Sequence, residues 1–80
     1  MTTEVFATLY LLTLREVMQR TGLSRSALYY RFDKNSSRFD PSFPRPIRLG
    51  SASNSIRFIA SELDAWIEQC ITESRAEDAK

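Results

Sequence analysis

The segment from Leu14 to Phe32, LREVMQRTGLSRSALYYRF, restricts the fold more than any other part of the chain, because its signals allow only two short helices broken by a tight turn. Thr13 and Glu16 form a T-x-x-E capping box, and Leu12 and Val17 stand where a hydrophobic staple clamps the entry to a helix. Leu14, Val17, Met18 and Thr21 then share one stripe at helical spacing, leaving Arg15, Gln19 and Arg20 outward. Gly22 follows as the residue that ends a helix in a left-handed conformation. Ser24 restarts helix as an N-cap. Along the second helix Leu28 and Phe32 make an inward i, i+4 pair with Ala27 beside them. Arg25, Ser26, Tyr29 and Tyr30 are left on or near the exposed side. Two helices joined in this way, with cationic and hydrogen-bonding groups at the start of the second, are the sequence form of a helix-turn-helix.

Length and composition bound what can surround this unit. Eighty residues, 42% of them apolar, make one domain with a small core. A deep catalytic cleft is not expected, and the chain has no histidine, the commonest general base and metal ligand. The single cysteine, Cys70, excludes an internal disulfide and a zinc cluster. Its helical spacing from Trp66 and Ile67 reads as a buried structural thiol. No apolar run reaches the roughly 20 residues that span a bilayer, and Val5 to Leu12 lacks the basic start of a signal peptide. The expectation is a soluble, cytoplasmic protein that is not an enzyme and needs no metal or cofactor.

The net charge of +1 hides a strong division along the chain. Residues 15 to 57 hold nine bases, Arg15, Arg20, Arg25, Arg31, Lys34, Arg38, Arg45, Arg48 and Arg57, against Glu16, Asp33 and Asp40. Residues 58 to 80 hold Arg75 and Lys80 against Glu62, Asp64, Glu68, Glu73, Glu77 and Asp78. A basic part that contains the helix-turn-helix can face phosphate while the acidic part stays solvated and repels it. The competing reading is that acids and bases pair in the fold and leave no patch.

After Phe32 the run DKNSSRFDPSFPRP must cross the surface as a loop, since Pro41, Pro44 and Pro46 each forbid helix. The period then changes. Ile47 and Leu49 alternate with Arg48, and Ile56 and Phe58 with Arg57, which reads as two strands with apolar side chains inward and both arginines on one outer face. GSASNS between them supplies small polar turn residues. Such a hairpin beside a helix-turn-helix is a wing suited to phosphate or minor-groove contact, although an ordinary hairpin covering the core gives the same pattern. Ser61 with Asp64 marks another helix start, and Leu63, Trp66, Ile67, Cys70 and Ile71 form its apolar stripe. Trp66 in the middle of that stripe is a core residue. Residues 73–80 are polar without periodicity and are expected to fray. The N-terminal VFATLYLL fits an edge strand, a self-association surface or a helix leading into Thr13, and the sequence does not choose.

Three stretches, LTLREVMQRTGLSRSALYYRF, FPRPIRLG and IRFIASELDAWIEQCI, together resemble the AlpA-type prophage regulatory proteins, small winged helix-turn-helix DNA binders related to phage excisionases and to the DNA-binding domain of MerR-type regulators. The resemblance covers residues 11–72. It rests on the order of its parts: an L-x-E-V first helix, TGLSRS at the turn, a Phe-Pro-x-Pro loop, a basic strand ending in Leu-Gly, and a final helix of the form E-L-D-x-W-I. It departs in the longer loop DKNSSRFDPS, in Phe58 where a tryptophan is usual, and in residues 1–10, which have no counterpart. The resemblance implies a mainly α fold with a small β-hairpin, three helices plus a two-stranded wing, in which Ser24 to Tyr30 enter a major groove and the hairpin around Gly50 to Ser55 is the wing. It also implies a mobile-element role in transcription, in excision, or in both.

The residues expected to carry DNA contact are Ser24, Arg25, Ser26, Tyr29, Tyr30, Lys34, Arg38, Arg45, Arg48 and Arg57. Arg25 has the reach for a bidentate bond to guanine, Ser26 and the tyrosines suit a base edge or phosphate, and Arg48 and Arg57 suit phosphates. Double-stranded DNA is the expected partner, with a second copy of the chain, an integrase or RNA polymerase as further ones. The alternative is a protein-interaction module on a helix-turn-helix scaffold without DNA binding, against which the excess of bases in residues 15–57 argues.

Overall fold

The computed structural model describes residues 9–51 and 55–78. Over them the chain forms β1 (Leu11–Leu12), α1 (Leu14–Thr21), α2 (Arg25–Phe32), β2 (Ile47–Arg48), β3 (Ile56–Ile59) and α3 (Ala60–Asp78). The architecture is mainly α with a β-hairpin, consistent with a winged helix-turn-helix, and one short strand is added to the expected pair. The strands form an antiparallel sheet in the order β1-β3-β2.

The helix-turn-helix follows its local signals. Thr13 closes the capping box on Glu16 from both sides, its backbone N–H donating to Glu16 Oε1 at 2.9 Å and Glu16 N–H donating to Thr13 Oγ1 at 3.1 Å. Gly22 takes φ +73° and returns its N–H to the Met18 carbonyl at 2.8 Å. Thr21 Oγ1 donates to the Val17 carbonyl and accepts the Leu23 N–H, so one side chain stitches the turn between the helices. Ser24 then caps α2 by accepting the Ala27 N–H at 3.1 Å.

The core is a cluster of Leu12, Val17, Leu28, Phe43, Phe58 and Leu63, drawn from every layer of the fold. Phe58 is its centre, with Phe32 and Phe43 edge-on to it at ring separations of 5.7 and 6.3 Å. Trp66 completes the stack edge-on to Phe43 at 4.8 Å, the core role expected of it. Burying four large side chains completely is worth about 1.5–3 kcal/mol for each, so a domain of this size depends on all of them.

The N-terminal run resolves, as far as it is described, into an edge strand. Leu11 pairs with Ile59 and Leu12 with Phe58. Residues 5–8 of that run lie outside the described residues, as do positions 52–54 at the tip of the hairpin expected to serve as the wing.

Four expectations need correction. First, Arg48 and Arg57 do not share a face. Ile47 pairs with Arg57 and Arg48 with Ile56, and residues paired directly across an antiparallel ladder lie on the same side. Arg48 therefore shares the Ile56 and Phe58 side, while Ile47 and Leu49 accompany Arg57 and stay 37% and 42% exposed rather than turning inward. Alternation within each strand is as expected, but a one-residue difference in register exchanges all the side chains of one strand between faces. Second, α3 starts at Ala60 and not behind a Ser61 cap. The Ala60 N–H continues the strand ladder to the Tyr10 carbonyl at 2.8 Å, so β3 runs directly into helix. Third, the tail does not fray at Ser74. Residues 73–78 continue α3 with good helix formers and no Gly or Pro, helped by a Gln69 to Glu73 side-chain bond at 3.3 Å. Fourth, Cys70 is exposed, because the apolar stripe of α3 extends beyond the layer that packs on it.

Candidate nucleic-acid interface

Helix α2 buries Leu28 and turns Arg25, Ser26, Tyr29 and Tyr30 to solvent, as the i, i+4 spacing of Leu28 and Phe32 requires. The exposed rings are held in place. Tyr29 rests on Phe32 at a centroid separation of 4.8 Å, and the Arg25 guanidinium lies 5.9 Å from the Tyr29 ring centre. Tyr30, one residue on, carries Arg38 over its face at 5.3 Å. Such cation–π pairs are worth about 0.5–1 kcal/mol at exposed sites, enough to bias an arginine toward one place without fixing it there.

Two grooves meet at Tyr29. The first is bounded by Arg15, Arg25 and Arg57, with Tyr29, Ile56 and the start of α1 making its floor. The second is bounded by Lys34, Arg45 and Arg48, again with Tyr29 and Ile56. Register explains this division, since Arg48 and Arg57 leave opposite faces of the hairpin and reach α2 from two sides. Arg57 Nη1 donates to the Ile56 carbonyl at 2.8 Å, which holds its side chain against the strand. Six cations surround one exposed aromatic in this arrangement. Among the described residues none of the six takes part in an ion pair; the one pair found there, Arg20 to Asp64 at 3.3 Å, lies away from both grooves.

The loop between α2 and β2 is built and not slack. Asp33 Oδ1 accepts the Asn35 N–H, Ser36 Oγ accepts the Arg38 N–H, and Asp40 Oδ1 accepts both the N–H and the hydroxyl of Ser42. Side chains of Asp and Ser thus replace a ladder as the partners of the loop backbone. The loop is tied back to α2 by the Asp40 N–H, which donates to the Arg31 carbonyl at 2.9 Å. The Ser42 hydroxyl holds the Asp40 carboxyl below its ordinary range against a small desolvation cost, with Trp66 and the Arg31 charge contributing further. Arg31 lies 6.0 Å from the Trp66 ring centre and has a buried Nε, so its side chain packs against this corner.

Of the expected site residues, Arg25, Tyr29 and Arg57 converge on the first groove, and Lys34, Arg45, Arg48 and Tyr29 on the second. Tyr30 and Arg38 form a separate pair at the flank of α2. Ser24 spends its hydroxyl oxygen on capping, and Ser26 is exposed between these groups. Arg15, which the helical spacing marks as outward-facing and nothing more, stands in the structure beside Arg25 and Arg57. Its place on the outer side of the first turn of α1, inside the basic segment, is the sequence signal for that role. Glu16, next to it, keeps its charge: bonds from the Thr13 backbone and side chain hold its carboxyl below the ordinary value, and Arg20 and Arg57 add attraction.

The family model described as Prophage CP4-57 regulatory protein (AlpA) matches residues 10–71, from the edge strand to the exposed part of α3. The DNA-binding transcriptional activator AlpA of Escherichia coli (strain K12) is 36% identical over 59 residues, covering 74% of this chain and 81% of that protein. No solved structure matches. No helix among the described residues is long and apolar enough to cross a membrane. The matched region spans both helices of the turn, the loop, the hairpin and the last helix, and the chain belongs to the AlpA family of prophage regulatory proteins.

Proposed function

We propose that this protein binds double-stranded DNA as a sequence-specific regulator of a prophage or other mobile element in the bacterial cytoplasm, with α2 in the major groove and the β2–β3 hairpin on the adjacent backbone. The observation that carries this reading is the convergence of Arg15, Arg25 and Arg57 on one side of Tyr29 and of Lys34, Arg45 and Arg48 on the other. An α-helix fits the major groove with the phosphate rails on either side of it, and cations flanking a recognition helix on both sides match that spacing. Kinship with a DNA-binding transcriptional activator supports the same reading.

Within it, Arg25 reads guanine, Tyr29, Tyr30 and Ser26 meet base edges or the near phosphate, and Arg15, Lys34, Arg38, Arg45, Arg48 and Arg57 anchor the backbone. Transcriptional control and assistance to excision both require this binding, and each adds its own partner, RNA polymerase or an integrase. Nuclease footprinting on DNA around the protein's own locus tests the proposal. A protected site of roughly ten base pairs or a multiple of it is the expected result, and absence of protection with the folded protein in excess at low salt would refute it. Transcription and excision assays on the footprinted fragment then separate the two regulatory roles.

A further inference from the structure

Helix α3 is longer than the core it closes. Leu63, Trp66 and Ile67 pack on the cluster, whereas Cys70 is exposed and Ile71 is 43% exposed. Residues 68–78 therefore project as about 16 Å of helix with an apolar stripe and no cover from the described residues. Beside it lies an open groove of about 400 Å³ between α3 and the end of α1, with Leu23, Ile67, Cys70 and Ile71 in its floor and Arg20 and Arg75 at its margins.

Charge along the helix selects the occupant. Arg75 is the one base on α3 and makes no ion pair among the described residues. Glu68 lies two turns before it, on the same flank of the stripe formed by Ile67, Ile71 and Ser74. We infer that this face is an interface between two copies of the chain, in which the two α3 helices pack antiparallel about a two-fold axis near Ile71 and Thr72. That operation sets Glu68 of each copy beside Arg75 of the other, twice over, as an isologous contact requires. It also carries Asp78 toward the end of the groove that holds Arg20. A parallel two-fold arrangement would carry this flank to opposite edges of the pair and form neither ion pair, so charge favours the antiparallel one. The contact is small, below the roughly 1,200 Å² of a stable complex, and gives a weak dimer that two adjacent DNA sites would reinforce. The face lies on the acidic side of the chain, away from the grooves at Tyr29, so the inference does not depend on the DNA-binding reading.

Sedimentation of the full chain without DNA tests it, over concentrations up to the millimolar range. The wild type should rise from 9.2 kDa toward twice that mass. Glu68→Arg and Arg75→Glu should each weaken association about tenfold, and the double exchange Glu68→Arg/Arg75→Glu should recover it to within about threefold. Ile71→Asp should abolish it. Circular dichroism and melting curves establish that each variant is folded, and affinity for a single DNA site should be unchanged in all of them. A strictly monomeric wild type would overturn the inference, and so would a double exchange that fails to restore association. Variants that associate normally yet lose transcriptional control would assign the face to a different protein and overturn it as well.

Discussion

Arg48 stands opposite Ile56 across the β2–β3 ladder, on the side of the sheet that carries Phe58, while Arg57 stands opposite Ile47 on the other side. The two arginines of the hairpin consequently approach α2 from different directions, one with Lys34 and Arg45 and the other with Arg15 and Arg25. On the proposed DNA-binding reading, a wing with both arginines on one face would grip a single phosphate rail, whereas this one reaches toward the backbone on both sides of α2.

The salt dependence of DNA binding measures that difference. Removing one phosphate-anchoring cation should reduce the magnitude of the log-affinity against log-salt slope by about 0.9. Arg48→Ala and Arg57→Ala should each show this reduction, with equal weakening on specific and random DNA, and the double variant should show the sum, because the two side chains leave opposite faces of the hairpin. Melting temperature should hardly change for the exposed Arg48, where substitutions are usually within about 0.5 kcal/mol, and should fall somewhat more for the half-buried Arg57, which also loses its bond to the Ile56 carbonyl. A slope altered by only one of the two would mean that only one groove faces DNA.

Arg25 differs from the residues proposed as phosphate anchors, because it is on the exposed first turn of α2 and only loosely stacked on Tyr29. Arg25→Ala should cost about 1–3 kcal/mol on the specific site and much less on random DNA. Competition binding against both DNAs provides the comparison, and equal weakening on the two would make Arg25 a phosphate anchor and not a base reader.

The helix-turn-helix is legible in the sequence because its signals are local. Thr13, Glu16, Gly22 and Ser24 act within four residues of themselves, and the structure realises each of them. The faces of the hairpin are not, since alternation in each strand leaves the register between strands open, and register is set by a loop and a core that pair distant residues. Phe43 shows the same limit. It sits in a proline-rich loop without periodicity, and nothing nearby in sequence marks it as the side chain that fills the space between Phe58 and Trp66. Cys70 and Ile71 mislead in the opposite direction, because a helical stripe states which side is apolar but not how far along the helix the core extends. The convergence of Arg15 with Arg25 and Arg57 needs three facts at once: helix faces, register and the crossing of the hairpin over α1.

The two ends of α1 should contribute comparable stability by different means. Thr13→Ala removes the side-chain half of the capping box and should cost about 1 kcal/mol. Gly22→Ala meets no steric obstacle, since nothing lies within 4 Å of the added methyl, yet it forces an alanine to φ +73°. Its cost should be about 1–2 kcal/mol from conformation alone. For a domain of this size each kilocalorie lowers the melting temperature by about 4–8 °C, so thermal melts resolve both. A Gly22→Ala variant as stable as wild type would show that the helix end relaxes out of the left-handed conformation.

Asp40 predicts how the protein responds to acid. Its carboxyl is held below its ordinary range in the folded chain, chiefly by the Ser42 hydroxyl, so the unfolded chain binds the proton more readily. A group of this kind contributes stability that is fully present above its unfolded value, near pH 4, and is lost as pH falls through the lower folded value. Asp40→Asn keeps an oxygen that accepts from Ser42 but cannot titrate. The stability difference between wild type and Asp40→Asn, from denaturant unfolding at a series of pH values, should be constant above about pH 5 and shrink steadily below about pH 4. Partial exposure of the carboxyl keeps the difference small. It should nevertheless be accompanied by loosening of the loop, because the same side chain holds Ser42 and the same residue's N–H ties the loop to Arg31. Protection of the Ser42 amide, its exchange rate relative to the intrinsic rate at each pH, should therefore fall on acidification in the wild type. A pH-independent difference in stability, with unchanged protection, would mean that the loop is held by Phe43 and the backbone bonds alone.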